Sequence, residues 1–115
     1  MAFTTAVRES AALNVTGQGN WVSLHTADPG TTGASEATGG SPAYARKQTT
    51  WSGGASDGSV TGSQVEFDAP AGTYPWAGVW TAQTGGTFLG GLQLSSSAVL
   101  AAQGLVRVTP TINAA

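Results

Sequence analysis

The sequence predicts an all-β, antiparallel β-sandwich of jelly-roll-like design with a short N-terminal helix, and three observations carry that prediction. The first is composition: 17 glycines, four tryptophans and only ten charged residues, four basic and six acidic, among 115 favour short strands and tight turns over long helices. The second is alternation of apolar and polar residues with a period of two in several short runs, clearest at Trp21–His25. The third is spacing, since about seven such runs recur roughly every ten residues with glycine, proline and serine between them. A chain of this length forms one domain, 1–115, burying roughly two-thirds of the surface its unfolded form exposes.

Residues 1–16 make the helical segment: AFTTAVRESAAL from 2 to 13 has Thr4 or Thr5 to cap its start and Ala6, Val7 and Leu13 for an inner face, before Gly17 and Gly19 break it. Trp21–His25 follows as a strand with one face buried, Val22 and Leu24 opposing Trp21, Ser23 and His25. Asp28-Pro29-Gly30 then opens a long loop, 28–42, because proline presets the first central position of a turn and glycine accepts the positive φ of the next. Loops of this length in a compact domain are usually functional.

Tyr44–Trp51 reads as the return strand, with neither face cleanly apolar, as suits an edge. Ser52–Gly58 is a loop by composition. Ser59–Thr61 and Gln64–Phe67 are short strands, the second with Val65 and Phe67 inward and Glu66 outward. Asp68–Pro75 is turn chemistry, delivering Trp76–Ala82, a central strand covered on both faces, with Trp76 and Trp80 in the core. Gln83–Gly86 is a hairpin connection, Thr87–Leu94 its partner, and Gly90-Gly91 marks a bulge or the close approach of another backbone or a tryptophan ring. Ser95–Gly104 reads as a link. Leu105–Thr111 closes the fold, with Pro110 confining it to an edge or an end.

Composition also excludes several functions. With a net charge of −2 and a single adjacent basic pair, Arg46-Lys47, the footprint of a nucleic-acid binder is missing. The absence of cysteine excludes a disulfide framework or a Cys-ligated zinc site. No basic start followed by an apolar run marks a signal peptide, and no stretch is long enough to span a membrane. The expectation is a chain made in a cytoplasm, with no nucleic-acid or membrane partner.

Chemistry is sought first at His25, where Asp28, Glu36 and several serines are available for a triad or an acid–base pair. No G-x-S-x-G elbow presents a nucleophile, so the ring is expected to cap turn carbonyls at the start of the loop. A lone histidine with scattered carboxylates falls short of a metal-ligand set, and no cofactor or catalytic residue is assigned. Arg46-Lys47 reads as solvated edge charge, with Glu36 or a neighbouring subunit as alternative partners. Trp51, the tryptophan with the wettest surroundings, is left open as a sugar-stacking ring. The candidate interaction residues are therefore His25, Asp28, Pro29, Gly30, Glu36, Tyr44, Arg46, Lys47 and Trp51.

The run SLHTADPGTTGASEATGG from Ser23, followed by SPAYARK, then Trp51, Val65-Glu66-Phe67, Pro70-Ala71-Gly72-Thr73 and GVWTAQTGGTFLGG over Gly78–Gly91, resembles a family of small proteins encoded in the structural-gene regions of tailed bacteriophages and labelled minor tail or tail-fibre proteins. The resemblance covers nearly the whole chain. It implies a non-enzymatic virion component that docks on other virion proteins and forms homo-oligomers, with a trimer suggested. A capsid decoration and a module binding host glycans are the alternatives.

Overall fold

The computed structural model describes residues 4, 7, 13–14, 16–52 and 59–113. Over these the chain is built from nine strands: β1 (Trp21–His25), β2 (Lys47–Gln48), β3 (Trp51–Ser52), β4 (Ser59–Gly62), β5 (Val65–Ala69), β6 (Gly72–Trp80), β7 (Phe88–Leu100), β8 (Gly104–Val108) and β9 (Thr111–Asn113). They form a four-stranded sheet in the order β2-β1-β6-β7, a three-stranded sheet β3-β4-β9 and a two-stranded sheet β5-β8. Every pairing is antiparallel, so the all-β sandwich read from the sequence is what the chain adopts.

The core lies between the four-stranded sheet and β5-β8. Val22, Leu24, Tyr74 and Ala77 face Val65, Phe67, Ala69, Val106 and Val108 across it. Phe67, wholly buried, stacks on Tyr44 with ring centroids 6.0 Å apart. In β5 the strict burial of residues 65, 67 and 69 against exposed Glu66 is the alternation predicted for a half-buried strand.

The other face of the four-stranded sheet matters more for the candidate site. The register Trp21↔Trp80, Ser23↔Gly78 and His25↔Trp76 puts these six residues on one side, away from the core. That side is covered too: Ser23 and His25 are both fully buried. β1 therefore has two buried faces where one was expected, because it lies inside its sheet and the long loop folds over its polar side.

Several boundaries differ from the sequence reading. Tyr44–Trp51 is not one strand: β2 and β3 belong to different sheets, and at Thr49 between them the backbone N–H donates to Asn20 O while the hydroxyl donates to Ser63 O. The turn before the central strand is confined to Pro70-Ala71, and Thr73–Pro75 are already in β6. Pro75, which has no N–H to give a ladder, sits at the register shift between Tyr74 and Trp76. Residues 95–100 belong to β7 rather than forming a link: Ala98, Val99 and Leu100 pair with Tyr74, Thr73 and Gly72, past an irregularity at 94–97. The closing segment splits at Thr109-Pro110 into β8 and β9, which enter different sheets.

Most of the N-terminal helical segment, and the 53–58 loop, lie outside the described residues. Within it, Val7 N–H donates to Thr4 Oγ1, the contact of a capping threonine. Thr16, Gly17 and Gln18 are helical, so the break comes at Gly19. Val7 and Leu13, expected on an inner face, are 48% and 46% exposed.

Candidate functional site

The long loop is folded back onto β1 by its own turn chemistry. Gly30 N–H donates to Asp28 Oδ1 at 2.8 Å, an Asx turn that Gly30 permits at φ 62°. The N–H groups of Gly33 and Ala34 both donate to Pro29 O. The return segment then runs beside β1: Thr26 N–H donates to Ser35 O, Ala37 N–H donates to Leu24 O, and Glu36 forms a bridge with His25. Pro29 is fully buried against β7, where a Cβ on Gly91 would come within 2.7 Å of Pro29 Cγ and 3.5 Å of Trp76. Of the glycine pair, Gly91 therefore lies under the Pro29 ring with Trp76 beside it, while nothing stands within 4 Å of a Cβ placed on Gly90.

Beneath the loop runs a hydrogen-bonded chain. His25 Nδ1 is 2.7 Å from Ala34 O and Nε2 is 2.7 Å from Ser23 Oγ. A carbonyl only accepts, so Nδ1 carries the proton and Nε2 accepts from the Ser23 hydroxyl. Ser23 Oγ in turn accepts from the Trp80 indole N–H at 2.9 Å. Every polar atom of the three side chains has a partner, which is what full burial demands. Burial holds the imidazole pKa below its ordinary value, and Arg46 pushes the same way; the bond to Ala34 and the Glu36 charge offset this only in part. His25 caps a loop carbonyl as the sequence suggested, with its ring sealed from solvent.

Around that chain sits the one buried cation among the described residues. Arg46 Nε and Nη2 donate to Glu36 Oε2 and Oε1 at 2.9 and 3.0 Å, the two-pronged geometry that suits guanidinium to carboxylate. Its Nη1 donates to Ala82 O and Gly85 O, tying the loop to the β6–β7 hairpin. Tyr44 completes the group, its hydroxyl donating to Glu36 Oε2 at 2.8 Å and accepting from Leu24 N–H at 3.0 Å. Burial alone would raise the Glu36 carboxyl, but the hydrogen bonds from Arg46 and Tyr44 and the charge of Arg46 outweigh it and hold the group below its ordinary pKa. Burial also pushes the Tyr44 phenol up, reinforced by the adjacent carboxylate.

Of the candidate residues, His25, Glu36, Tyr44 and Arg46 come together, with Pro29 and Gly30 shaping the loop above them. Arg46 is 8% exposed, which corrects its reading as solvated edge charge; Glu36, offered as the alternative partner, is the one it takes. Asp28 serves its own turn. Lys47 lies on the edge strand β2, half-exposed. Trp51 stands apart, partly buried, with its indole N–H donating to Gly19 O. The sequence reading missed Ser23 and Trp80 as members of the network. The signal was present in the alternation that puts Ser23 and His25 on one face, and in an indole N–H that must find an acceptor once Trp80 is buried.

Among the described residues, no three His, Asp or Glu side chains gather as a metal site, and no helix is long and apolar enough to cross a membrane. The arrangement as it stands positions a loop and a hairpin rigidly over one sheet. Residues 5–111 match the family model described as Podophage GP4 fiber I protein gp80. No curated protein matches the chain.

Proposed function

We propose, from the premise that this chain belongs to the Podophage GP4 fiber I protein gp80 family, that it is a non-catalytic fibre module, working by self-association and by docking on other virion proteins. The observation that carries this reading is the extent of the match: residues 5–111 take in all of β1 to β8 and the long loop, so the folded domain itself is the fibre unit. The buried network supports it. His25, the most reactive-looking side chain, has both ring nitrogens engaged inside the protein and no path to a substrate.

In this reading the loop 28–42 and the β6–β7 hairpin, pinned together by Arg46, form one rigid end of the domain that meets a neighbouring virion protein. Rigidity there lowers the ordering cost of docking. Immunogold electron microscopy and mass spectrometry of purified particles test the proposal. Label on the tail fibres is expected; absence of the chain from purified virions would overturn it.

A further inference from the structure

A single layer of chain separates the His25 ring from water. Ser23, His25 and Pro29 are fully buried, yet Thr26, Asp28, Ala34 and Ser35 in the loop that covers them are exposed. Few bonds hold this cover to β1: Thr26 N–H donates to Ser35 O, and His25 Nδ1–H donates to Ala34 O. The cover is also strained. Ser35 sits at φ 63°, the left-handed conformation that is unfavourable for any residue with a Cβ. Lifting residues 29–35 off β1 breaks those bonds and lets Ser35 relax. It leaves Ala37 on Leu24 O and Glu36 on Arg46 as the hinge, and it does not touch β5-β8 on the other face of the four-stranded sheet.

The hydrogen bonds beneath the cover suit a neutral ring only. Nε2 accepts from the Ser23 hydroxyl, and Ser23 Oγ accepts from the Trp80 indole. An imidazolium carries N–H at both nitrogens, so Nε2–H would turn on Ser23 Oγ and the Ser23 proton would lose the acceptor it has. Burial weighs most against a cation there, more than the Ala34 bond and the Glu36 charge favour it, and Arg46 adds to the penalty. β6 and β7 set only Trp76, Gly78 and Phe88 against the ring. Asp28 is exposed and engaged by Gly30 N–H.

We infer that His25 is an acid-sensitive latch: while neutral it closes residues 29–35 over β1, and on taking up a proton it releases them while the sandwich stays folded. In the lifted state the ring is hydrated and titrates at its ordinary 6.5, whereas the closed state holds it lower. The closed form therefore has its full advantage above pH 6.5. Below that, its ratio to the lifted form falls by up to about tenfold per pH unit, until the closed-state ring protonates as well. Local openings of this kind are drawn from segments with few buried contacts and few bonds to the rest of the fold. The consequence for docking rests on the fibre reading above, in which this end of the domain meets a virion protein and acid would disorder the meeting surface; the latch itself is a property of the purified chain.

The test is hydrogen exchange of the purified chain, followed by NMR from pH 7.5 to 5 and corrected for the intrinsic rate. That range leaves Glu36 ionised, since its carboxyl is held below 4.5. The Thr26 amide and the Trp80 indole N–H are expected to open roughly ten- to thirtyfold more at pH 5 than at pH 7.5, while the amides of β5 and β8 keep their protection. His25→Gln, which cannot gain a proton, should remove the pH dependence. Ring-nitrogen chemical shifts at pH 7.5 should report the Nδ1-protonated tautomer. Flat exchange at Thr26 and Trp80, acceleration shared by β5 and β8, a pH response that persists in His25→Gln, or the Nε2-protonated tautomer would each overturn the inference. Should the Gln variant not fold, the wild-type comparison of loop with core and the tautomer decide it. A latch with these properties in a chain absent from virions would stand without a docking role; flat exchange in a chain found on fibres would remove the latch and leave the fibre reading in place.

Discussion

Arg46 lies over the indole of Trp80, its guanidinium carbon 3.6 Å from the ring centroid, while the same indole donates to Ser23. One aromatic ring therefore joins the two halves of the buried network. Its face carries the cation that holds Glu36 and the hairpin, and its edge feeds the chain that ends on Ala34. Arginine suits this position where lysine does not, since only a planar fork can stack, grip a carboxylate twice and reach two carbonyls.

Arg46→Met leaves the Glu36 carboxylate facing an apolar side chain and strands two carbonyls. The expected loss is about 3 kcal/mol, the lower end of the range for breaking a buried pair, because Glu36 keeps 22% side-chain exposure. Urea denaturation measures it. The double variant Arg46→Met, Glu36→Gln should be more stable than Arg46→Met alone, showing coupling between the two sites; simple additivity would mean that the pair contributes nothing as a pair.

Acid should weaken the domain in two stages. The folded-state pKa of His25 is lowered from 6.5, so the unfolded chain takes up the proton first. The stability that neutral His25 contributes is complete above 6.5 and falls as the pH drops below it, levelling off beneath the folded value. Glu36, lowered from 4.5, contributes stability that is complete above 4.5 and lost as the pH falls through its folded value. Each limb has a slope of at most about 1.4 kcal/mol per pH unit. Denaturation midpoints from pH 8 down to 3 follow both, and a flat profile between pH 7 and 5 would contradict the buried neutral imidazole.

Gly78→Ala should disrupt the same network from below. A Cβ there would stand 2.7 Å from Ser23 Oγ, 2.8 Å from His25 Nε2 and 2.8 Å from Phe88 Cε1, inside contact distance for all three. Overpacking of this kind costs about 1–3 kcal/mol. The Trp80 indole N–H resonance should shift with it, since its acceptor Ser23 must move; an unchanged resonance would show that the strain is relieved elsewhere.

The second ion pair provides the contrast. Arg107 and Glu66 face each other across β5 and β8 with side chains 58% and 52% exposed, and exposed pairs are worth about 0–1 kcal/mol. Arg107→Ala should therefore change stability by less than about 1 kcal/mol. A loss matching that of Arg46→Met would place this pair in a role its exposure does not suggest.

Much of this fold could be read before any coordinates. The period-two runs located β1, β5 and the core of β6, the glycine pair at 85–86 fell in the hairpin, and Gly91 fell at the close approach of Pro29. The Asp28-Pro29-Gly30 turn formed as its residues require. The misreadings share a cause. Tyr44–Trp51, Thr73–Pro75 and Ser95–Leu100 lack clean alternation because their structure comes from neighbours: the pairing of Thr73 and Tyr74 with Val99 and Ala98, which holds the last two in one ladder, and two separate sheets in the first. Local composition cannot report a partner that is distant in sequence.

Arg46 shows the boundary most plainly. A basic residue next to another in a polar stretch reads as surface charge, because the free energy of burying it depends on groups far along the chain: Glu36, the carbonyls at 82 and 85, and the ring at 80. Composition and alternation settle which residues want to leave water and which turns the backbone can make, since those preferences belong to each residue and its immediate neighbours. Which polar groups are buried, and against whom, is fixed only when the folded chain brings donors and acceptors within hydrogen-bond distance, as it does for His25, Ser23 and Trp80.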